Sequence, residues 1–212
     1  MTYTAAAPRL EPDAAGAEPA RVVVLNFGSV AVGDTEAVGR VAATIVAERA
    51  HGVDVVAVLP PYGRAADELA RLVSAVSASP HPRELDMLVS SGASMAAALC
   101  AMAVHRRGCR AVSLEGAQAG IVTDGAHTCA EVVEIRPERI ESELQRHGVV
   151  LVSGAHGVSR DTGELTTLGA GGHDAVAREL AAALGGEAVH VRELDGDGPL
   201  CSREFDASLR TR

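Results

Sequence analysis

The sequence of this 212-residue chain contains no lysine and no tryptophan, and aromatic residues account for only 2% of it. A core with so few aromatic rings has to be built mainly from valine, leucine, isoleucine and alanine, which suits a largely parallel sheet whose strands are continuous apolar runs. All 19 strongly basic residues are arginine, no more than two of them adjoin, and the net charge is −9. This balance excludes nucleic acid as a partner, because nucleic-acid binding needs a basic patch.

Two further absences bear on the location of the protein. No segment approaches about 18 uninterrupted apolar residues, which excludes a membrane span, and the N-terminus lacks the basic start and apolar stretch of a secretory signal. The four cysteines show no C-x-x-C pairing and fit reduced, buried thiols. They are Cys100, Cys109, Cys129 and Cys201. We predict a cytoplasmic protein that uses no cofactor.

Hydrophobic residues make up 47% of the chain, enough for one sizeable core. Apolar runs alternate with helical patterns, which predicts a three-layer α/β sandwich with a mostly parallel central sheet and helices on both faces. The runs predicted as strands are Val22–Leu25, Val53–Leu59, Ala111–Leu114, Val149–Val152 and Val189–Val191. Residues 1–20 carry no periodic signal and are interpreted as a disordered leader, 21–200 as the domain and 201–212 as a C-terminal tail.

The most informative segment is GAHGVSRDTGELTTLGAGGHD, residues 154–174, a strand exit followed by a glycine-rich loop that opens a helix. Gly169, Gly171 and Gly172 leave the loop without side-chain bulk, and the predicted helix over Asp174–Leu184 begins directly behind them. Free backbone N–H groups and the helix dipole favour a negative charge at this point. The segment therefore predicts a site for a phosphate-like group.

This segment resembles the aspartokinase loop FQGVS-x-D-T-x-x-x-TTLGRGGSD, which belongs to the amino acid kinase fold. Other stretches resemble aspartokinase motifs in the same order along the chain. They are RVVVLNFGSVAVGDTEAVGRVA, similar to the opening V-x-KFGGTSVG segment; VDVVAVLPPYGRAADEL, similar to the second strand and turn; PRELDMLVSSGASMAAALCAMAVHRRG, similar to the long GE helix; and EGAQAGIVTD, similar to G-S-Q-A-G-I-x-T-D. The resemblance spans residues 21–196 and implies an amino acid kinase-like fold.

Departures from the aspartokinase pattern imply that the kinase reaction is lost. In that family the KFGG lysine offsets the charge that develops on the transferring phosphoryl group, and here the position is Asn26. An amide cannot replace a cation. The threonine of the second turn, the glutamate of the GE pair and the carboxylate-binding arginine are replaced by Ala66, Ala93 and Ala170. Without that arginine, bidentate recognition of a carboxylate is lost as well.

The resemblance also implies a truncated nucleotide lobe. Aspartokinases continue after their T-D-V-D-G strand into further strands and helices, whereas sixteen residues follow Gly196 here. Arg192, Glu193 and Leu194 stand where the family has Thr, Asp and Val. We therefore expect an amino acid kinase-like fold that no longer binds ATP.

Residues at the carboxyl ends of the predicted strands should converge on the former phosphate centre, as ligands do in open α/β sheets. We predict His173, Asp174 and His156 as catalytic residues, since a histidine beside a carboxylate can act as a general acid or base. The residues predicted to bind the anion or substrate are Asn26, Gly28, Ser29, Tyr62, Arg64, Gly171 and Gly172. The alternatives are that His173 and Asp174 merely start a helix, that His156 packs in a loop, or that the three form a metal site.

Three functions remain open. The first is a repurposed biosynthetic enzyme of specialised metabolism without kinase activity. It would bind a small, anionic, amino-acid-derived substrate bearing phosphate or sulfate and promote loss of that group by elimination or intramolecular cyclisation. The second is a noncatalytic, aspartokinase-like partner subunit that pairs through the helix SMAAALCAMAV, as a homodimer or with another protein. The third is an aspartate or amino acid kinase completed by another chain.

Overall fold

The computed structural model describes residues 21–28, 32–169, 171–191 and 203–205, which form ten strands and five helices. The strands are β1 Val22–Phe27, β2 Asp54–Leu59, β3 Val112–Leu114, β4 Ile121–Thr123, β5 Val132–Ile135, β6 Val149–Ser153, β7 His156–Ser159, β8 Leu165–Thr167, β9 Glu187–Val191 and β10 Arg203–Phe205. The helices are α1 Thr35–Ala50, α2 Gly63–Val76, α3 Pro82–Arg106, α4 Glu138–His147 and α5 Gly172–Ala183.

The main sheet has the strand order β10-β9-β1-β2-β6-β3. All neighbouring pairs are parallel except β10 with β9. This arrangement confirms the predicted mostly parallel sheet, and each of the five predicted strands has its counterpart within a few residues. β10 lies inside the segment 201–212 that the sequence analysis treated as a tail.

Two apolar cores lie on opposite faces of this sheet, because successive residues of a strand point to opposite sides. In β1, for example, Leu25 and Phe27 enter one core and Val24 enters the other. Side chains of α1 and α3 complete the first core, and side chains of α4 and α5 complete the second. The helices on both faces confirm the three-layer α/β sandwich.

A second, four-stranded sheet was not predicted from the sequence. Its order is β5-β4-β7-β8, with β4 and β7 parallel and the other pairs antiparallel. Its strands have only three or four residues and carry polar side chains, such as Thr123 and Thr166, whose hydroxyls lie 2.6 Å apart. In sequence, β4 follows β3 and β7 follows β6, so this sheet continues from the carboxyl ends of two main-sheet strands.

The helix ends follow local sequence signals. The Asp34 carboxylate caps α1 by accepting the N–H groups of Glu36 and Ala37 at 3.0 and 2.9 Å, and Pro82 occupies the first turn of α3. Gly148 ends α4 in the left-handed conformation, with φ of 71°. These signals fix where each helix enters and leaves the sandwich.

Helix α3 is long enough and apolar enough in composition to cross a membrane. In the structure it packs against α1, β6 and β8. Its buried apolar side chains are Ala93, Ala96, Ala97, Cys100, Ala101 and Val104. Burial raises the pKa of the Cys100 thiol to about 12. The inward face of α3 is therefore part of the protein core.

Candidate functional site

The carboxyl ends of β1, β2, β6 and β3 lie side by side along one edge of the main sheet, because these strands are parallel neighbours. The N-terminus of α5 reaches the same edge through a hydrogen bond between Asn26 of β1 and Asp174 of α5. We call the group formed by Asn26, His173 and Asp174 the edge site. Its position agrees with the general rule for ligand sites in open α/β sheets.

A carboxylate links a buried amide to an accessible imidazole in the edge site. Asn26 is 5% exposed, and its Nδ2 donates to Oδ1 of Asp174 at 2.5 Å. Nε2 of His173 lies 3.6 Å from the same oxygen. The His173 and Asp174 side chains remain 23% and 40% exposed, so a small molecule can reach both. An imidazole beside a carboxylate at an accessible edge can exchange a proton with such a molecule.

The glycine loop supplies backbone donors beside these side chains. Gly171 adopts a left-handed conformation with φ of 78° at the start of α5, and a Cβ on Gly172 would lie 2.2 Å from Cβ of Leu168. The Gly172 N–H already donates to the Gly169 carbonyl at 2.9 Å. Within the described part of the chain, the N–H groups of Gly171 and His173 have no acceptor. These two N–H groups are therefore the ones open to an anion.

Gly154 holds the end of β6 against the start of α5. A Cβ at this position would lie 2.4 Å from Cγ1 of Val58 and 3.5 Å from Cβ of His173. The Gly154 N–H donates to the Leu59 carbonyl at 3.1 Å. Only glycine fits here, and this close packing fixes the backbone of His173 relative to the ends of β2 and β6.

Three of the other predicted binding residues, Gly28, Tyr62 and Arg64, come after the carboxyl ends of β1 and β2 at the same edge. Gly28 follows β1 and has open space where a Cβ would be. Tyr62 precedes α2, is half-buried against the α1/α3 core, and donates its N–H to the Gly92 carbonyl at 3.1 Å. Arg64 belongs to the first turn of α2. The Arg64 side chain and all of Ser29 lie outside the described residues.

His156 lies in a different cluster from the edge site. It opens β7, is 1% exposed, and places Nε2 3.0 Å from Oε2 of Glu115. Burial lowers the pKa of His156, although the negative charge of Glu115 and its hydrogen bond act in the opposite direction. Within the described part of the chain, its polar contacts are to Glu115 and Gly116. The structure thus divides the three predicted catalytic residues, with His173 and Asp174 in one cluster and His156 in the other.

Sequence reasoning did not single out Glu115 or Ser153. Glu115 directly follows β3. The sequence pattern that could have identified it is an acidic residue at the carboxyl end of an apolar run. Ser153 ends β6 and is fully buried, and its hydroxyl has no hydrogen-bond partner among the described residues. The sequence pattern that could have identified Ser153 is a hydroxyl residue at the end of an apolar run. Both lie at the edge where ligands bind in this architecture.

A buried carboxylate anchors the strand that leads into the glycine loop. Asp86 of α3 is fully buried and accepts hydrogen bonds from Nδ1 of His127 at 2.6 Å, from the Thr128 N–H at 3.0 Å and from the Thr167 hydroxyl. Thr128 has φ of 67°, which is strained for a β-branched residue. Asp86 therefore ties α3 to the loop after β4 and to the end of β8, just before Gly169.

In open α/β sheets, a glycine loop and a helix N-terminus at the carboxyl edge of the parallel strands are features of sites for anionic ligands. The chain belongs to the amino acid kinase family, whose model matches residues 21–191. It is 43% identical over 176 residues to an aspartokinase of Mycobacterium bovis, covering 82% of this chain and 42% of the relative. It is also 43% identical over 170 residues to an aspartokinase of Geobacillus stearothermophilus, covering 80% and 42%.

Solved structures give the same family. The aspartate kinase of Synechocystis superimposes with a TM-score of 0.68 at 34% identity, over 82% of this chain and 29% of that one. Aspartokinase III of E. coli, solved in complex with aspartate and ADP, has a TM-score of 0.67 at 20% identity over 83% and 50%, which supports the fold alone. The chain spans about two fifths of the length of the curated relatives it matches. It is an aspartokinase-like amino acid kinase domain.

Proposed function

We propose that this domain binds a small, anionic, amino-acid-derived substrate at the edge site and does not transfer a phosphoryl group from ATP. The observation that carries the proposal is the hydrogen bond from Nδ2 of Asn26 to Oδ1 of Asp174 at 2.5 Å. By the resemblance to aspartokinases, Asn26 stands at the position of the KFGG lysine. A neutral amide cannot offset the charge of a transferring phosphoryl group. The chain has no lysine at all to take that place.

The remaining groups support loss of an anionic group from the substrate. The substrate would already carry a phosphate or sulfate ester, placed against the N–H groups of Gly171 and His173. His173 would take a proton from carbon, the released electron pair would form a double bond, and the C–O bond would break to release phosphate or sulfate. In an intramolecular cyclisation the proton would come from the attacking heteroatom, whose electron pair would close the ring. Asp174 would stabilise the imidazolium that forms.

The test compares two classes of substrate on the purified protein. Release of inorganic phosphate or sulfate is measured with O-phospho and O-sulfo amino acids, and phosphoryl transfer is measured with MgATP and aspartate. The proposal predicts release from the esters and no transfer from MgATP. The variants His173→Ala and Asp174→Ala should each lower the release rate by about a hundredfold to ten-thousandfold.

His81→Ala is the matched control, because His81 is an exposed histidine that directly precedes α3 and is not part of the edge site. It should keep the activity of the unchanged protein. Equal release rates in all three variants would contradict a catalytic role for the edge site.

A noncatalytic partner role is the second candidate, and an exposed row of methionines favours it. Met87, Met95 and Met102 of α3 are 49%, 39% and 55% exposed, and their spacing of eight and seven residues puts them on one stripe of the helix. Such a stripe can pack on a second copy of the chain or on another protein. Activity at the edge site is not needed for this role.

An aspartate kinase is the third candidate, favoured by the 43% identity to enzymes named aspartokinases. The MgATP arm of the experiment above tests it directly.

For each of the three candidates we propose a cytoplasmic location, supported by the same similarity and by cysteines without a C-x-x-C spacing.

A further inference from the structure

A separate cleft opens beside the His156 cluster. Its volume is about 520 Å³, within the range of small-molecule sites. We call it the β3–α3 cleft, because Glu115 follows β3 and the serines come from α3. The polar and apolar residues that define it are Ser90, Ser94, Glu115, Gln118, His156 and Leu165.

Glu115 is held in one orientation by two neighbours. The Ser94 hydroxyl donates to Oε2 of Glu115 at 2.8 Å, and Nε2 of His156 lies 3.0 Å from the same oxygen. The Gln118 side-chain carbonyl accepts the backbone N–H of Glu115 at 3.0 Å. Oε1 of Glu115 has no hydrogen-bond partner among the described residues, and the side chain is 45% exposed. Oε2 is therefore held by two side chains, whereas Oε1 is hydrogen-bonded to none of the described residues.

The net charge of this cluster is negative. Burial lowers the pKa of His156, so the imidazole is neutral near pH 7. Its Nδ1 is buried without a hydrogen-bond partner in the described part of the chain. Its Nε2 lies 3.0 Å from Oε2 of Glu115 and accepts the Gly116 N–H at 3.3 Å. No arginine of the described residues pairs with Glu115.

We propose that the β3–α3 cleft binds the primary ammonium group of a small aliphatic amine. The ammonium would donate to Oε1 of Glu115 and to the hydroxyl oxygen of Ser90, and the aliphatic chain would lie against Leu165. A charge-assisted hydrogen bond of this kind is stronger than one between neutral groups. The negative cluster would repel a carboxylate or phosphate at the same place.

The composition of the cleft favours ammonium over a metal ion. Among the described residues, Glu115 is the only carboxylate that lines the cleft, and no three metal-binding side chains form a group. Mg²⁺ and Ca²⁺ take six or more oxygen ligands and usually need more than one carboxylate. A singly charged ammonium with three donors needs one carboxylate and a few hydroxyl or carbonyl oxygens.

The cleft is separate from the edge site. Three strand spacings of about 4.8 Å, roughly 14 Å in all, separate β1 with Asn26 from β3 with Glu115. Both sites lie at the carboxyl edge of the main sheet, yet none of the contacts that hold Glu115 involves Asn26, His173 or Asp174. The inference therefore does not depend on the function proposed for the edge site.

The test is a titration of the ¹⁵N-labelled protein with n-butylammonium, n-butanol and butyrate, followed by backbone amide chemical shifts. We expect saturable shifts at Gly116, Gln118 and Gly157 with n-butylammonium and none with n-butanol or butyrate. Glu115→Gln keeps the size of the side chain and removes its charge. It should weaken n-butylammonium binding about tenfold or more.

Glu141→Gln is the matched control, since Glu141 is an exposed glutamate of α4, outside the residues that line the cleft. It should bind n-butylammonium like the unchanged protein. The amide spectrum without ligand shows whether each variant is folded. Equal affinity of the Glu115→Gln variant and the unchanged protein, equal affinity for n-butanol and n-butylammonium, or shifts that do not saturate would each overturn the proposal.

Discussion

Single residues decide what chemistry this amino acid kinase domain can support. By the resemblance to aspartokinases, Asn26 occupies the position of the KFGG lysine. The structure adds that Nδ2 of Asn26 donates a hydrogen bond to Oδ1 of Asp174 at 2.5 Å. The sequence also placed His156 with His173, because both lie near the ends of predicted strands. Sequence patterns do not show which neighbours a side chain at the end of a strand will contact. In the structure, His156 contacts Glu115 and not His173.

Gly154 provides a test of how tightly the edge site is packed. Gly154→Ala should lower the free energy of unfolding by about 1–3 kcal/mol, because the new Cβ would lie 2.4 Å from Cγ1 of Val58. Urea unfolding measures the change. Gly39→Ala in α1 is the control, since a Cβ there meets nothing within 4 Å. It should be neutral or stabilising by up to about 1 kcal/mol, and a similar loss in both variants would contradict this account of the packing.

Buried His156 and half-buried His147 predict how stability depends on pH. Burial lowers the pKa values of His156 and His147 in the folded protein, so the unfolded chain binds more protons between those values and about 6.5. Their contribution to stability is therefore present above about pH 6.5 and is lost as the pH falls from there through the lowered pKa values of the folded protein. His156→Gln should make the decline in urea midpoint from about pH 7.5 to about pH 5.5 shallower.

Exposed His81 offers the matched comparison for that experiment. His81→Gln should leave the pH dependence of the urea midpoint unchanged. An identical decline in the His156→Gln variant and the unchanged protein would show that His156 is not the group responsible.

Elements that form the main sheet could be predicted from sequence because burial on both faces leaves long apolar runs. Val53–Leu59 and Val149–Val152 are such runs, and they correspond to β2 and β6. The small sheet could not be predicted, since Leu165–Thr167 has three residues and its stability comes from pairing with β7 rather than from its own pattern. The start of α5 was predicted at Asp174, whereas the structure begins it at Gly172.

Asp86 links α3 to the end of β8 through a hydrogen bond with Thr167. Asp86→Ala should lower the free energy of unfolding by about 2–4 kcal/mol, because it leaves the buried Thr167 hydroxyl, the Thr128 N–H and Nδ1 of His127 without their acceptor. Thermal or urea unfolding measures the loss. Asp161→Ala, at an exposed aspartate in the turn before β8, should change stability by less than about 0.5 kcal/mol. Equal losses in the two variants would contradict an anchoring role for Asp86.

The whole molecule presents an apolar surface on α3 that suits a partner. Replacing Met95 and Met102 together by glutamate should convert an assembled species into a monomer, as measured by light scattering, because charges on the stripe oppose its burial. Val133→Glu, at another exposed apolar residue on β5, serves as the control and should leave the assembly intact. A strictly monomeric unchanged protein at all concentrations would remove the basis for a partner at this surface.

For the molecule as a whole, similarity to aspartokinases favours ATP binding, whereas the residues of the edge site argue against it. The fold and the 43% identity are those of aspartokinases, whereas Asn26 bound to Asp174 leaves no cation at the position of the KFGG lysine. Calorimetric titration with MgATP, followed by an assay for aspartyl phosphate, decides between them. We predict no measurable ATP binding and no aspartyl phosphate. Micromolar affinity for ATP together with phosphorylation of aspartate would contradict the account and establish the domain as an active kinase.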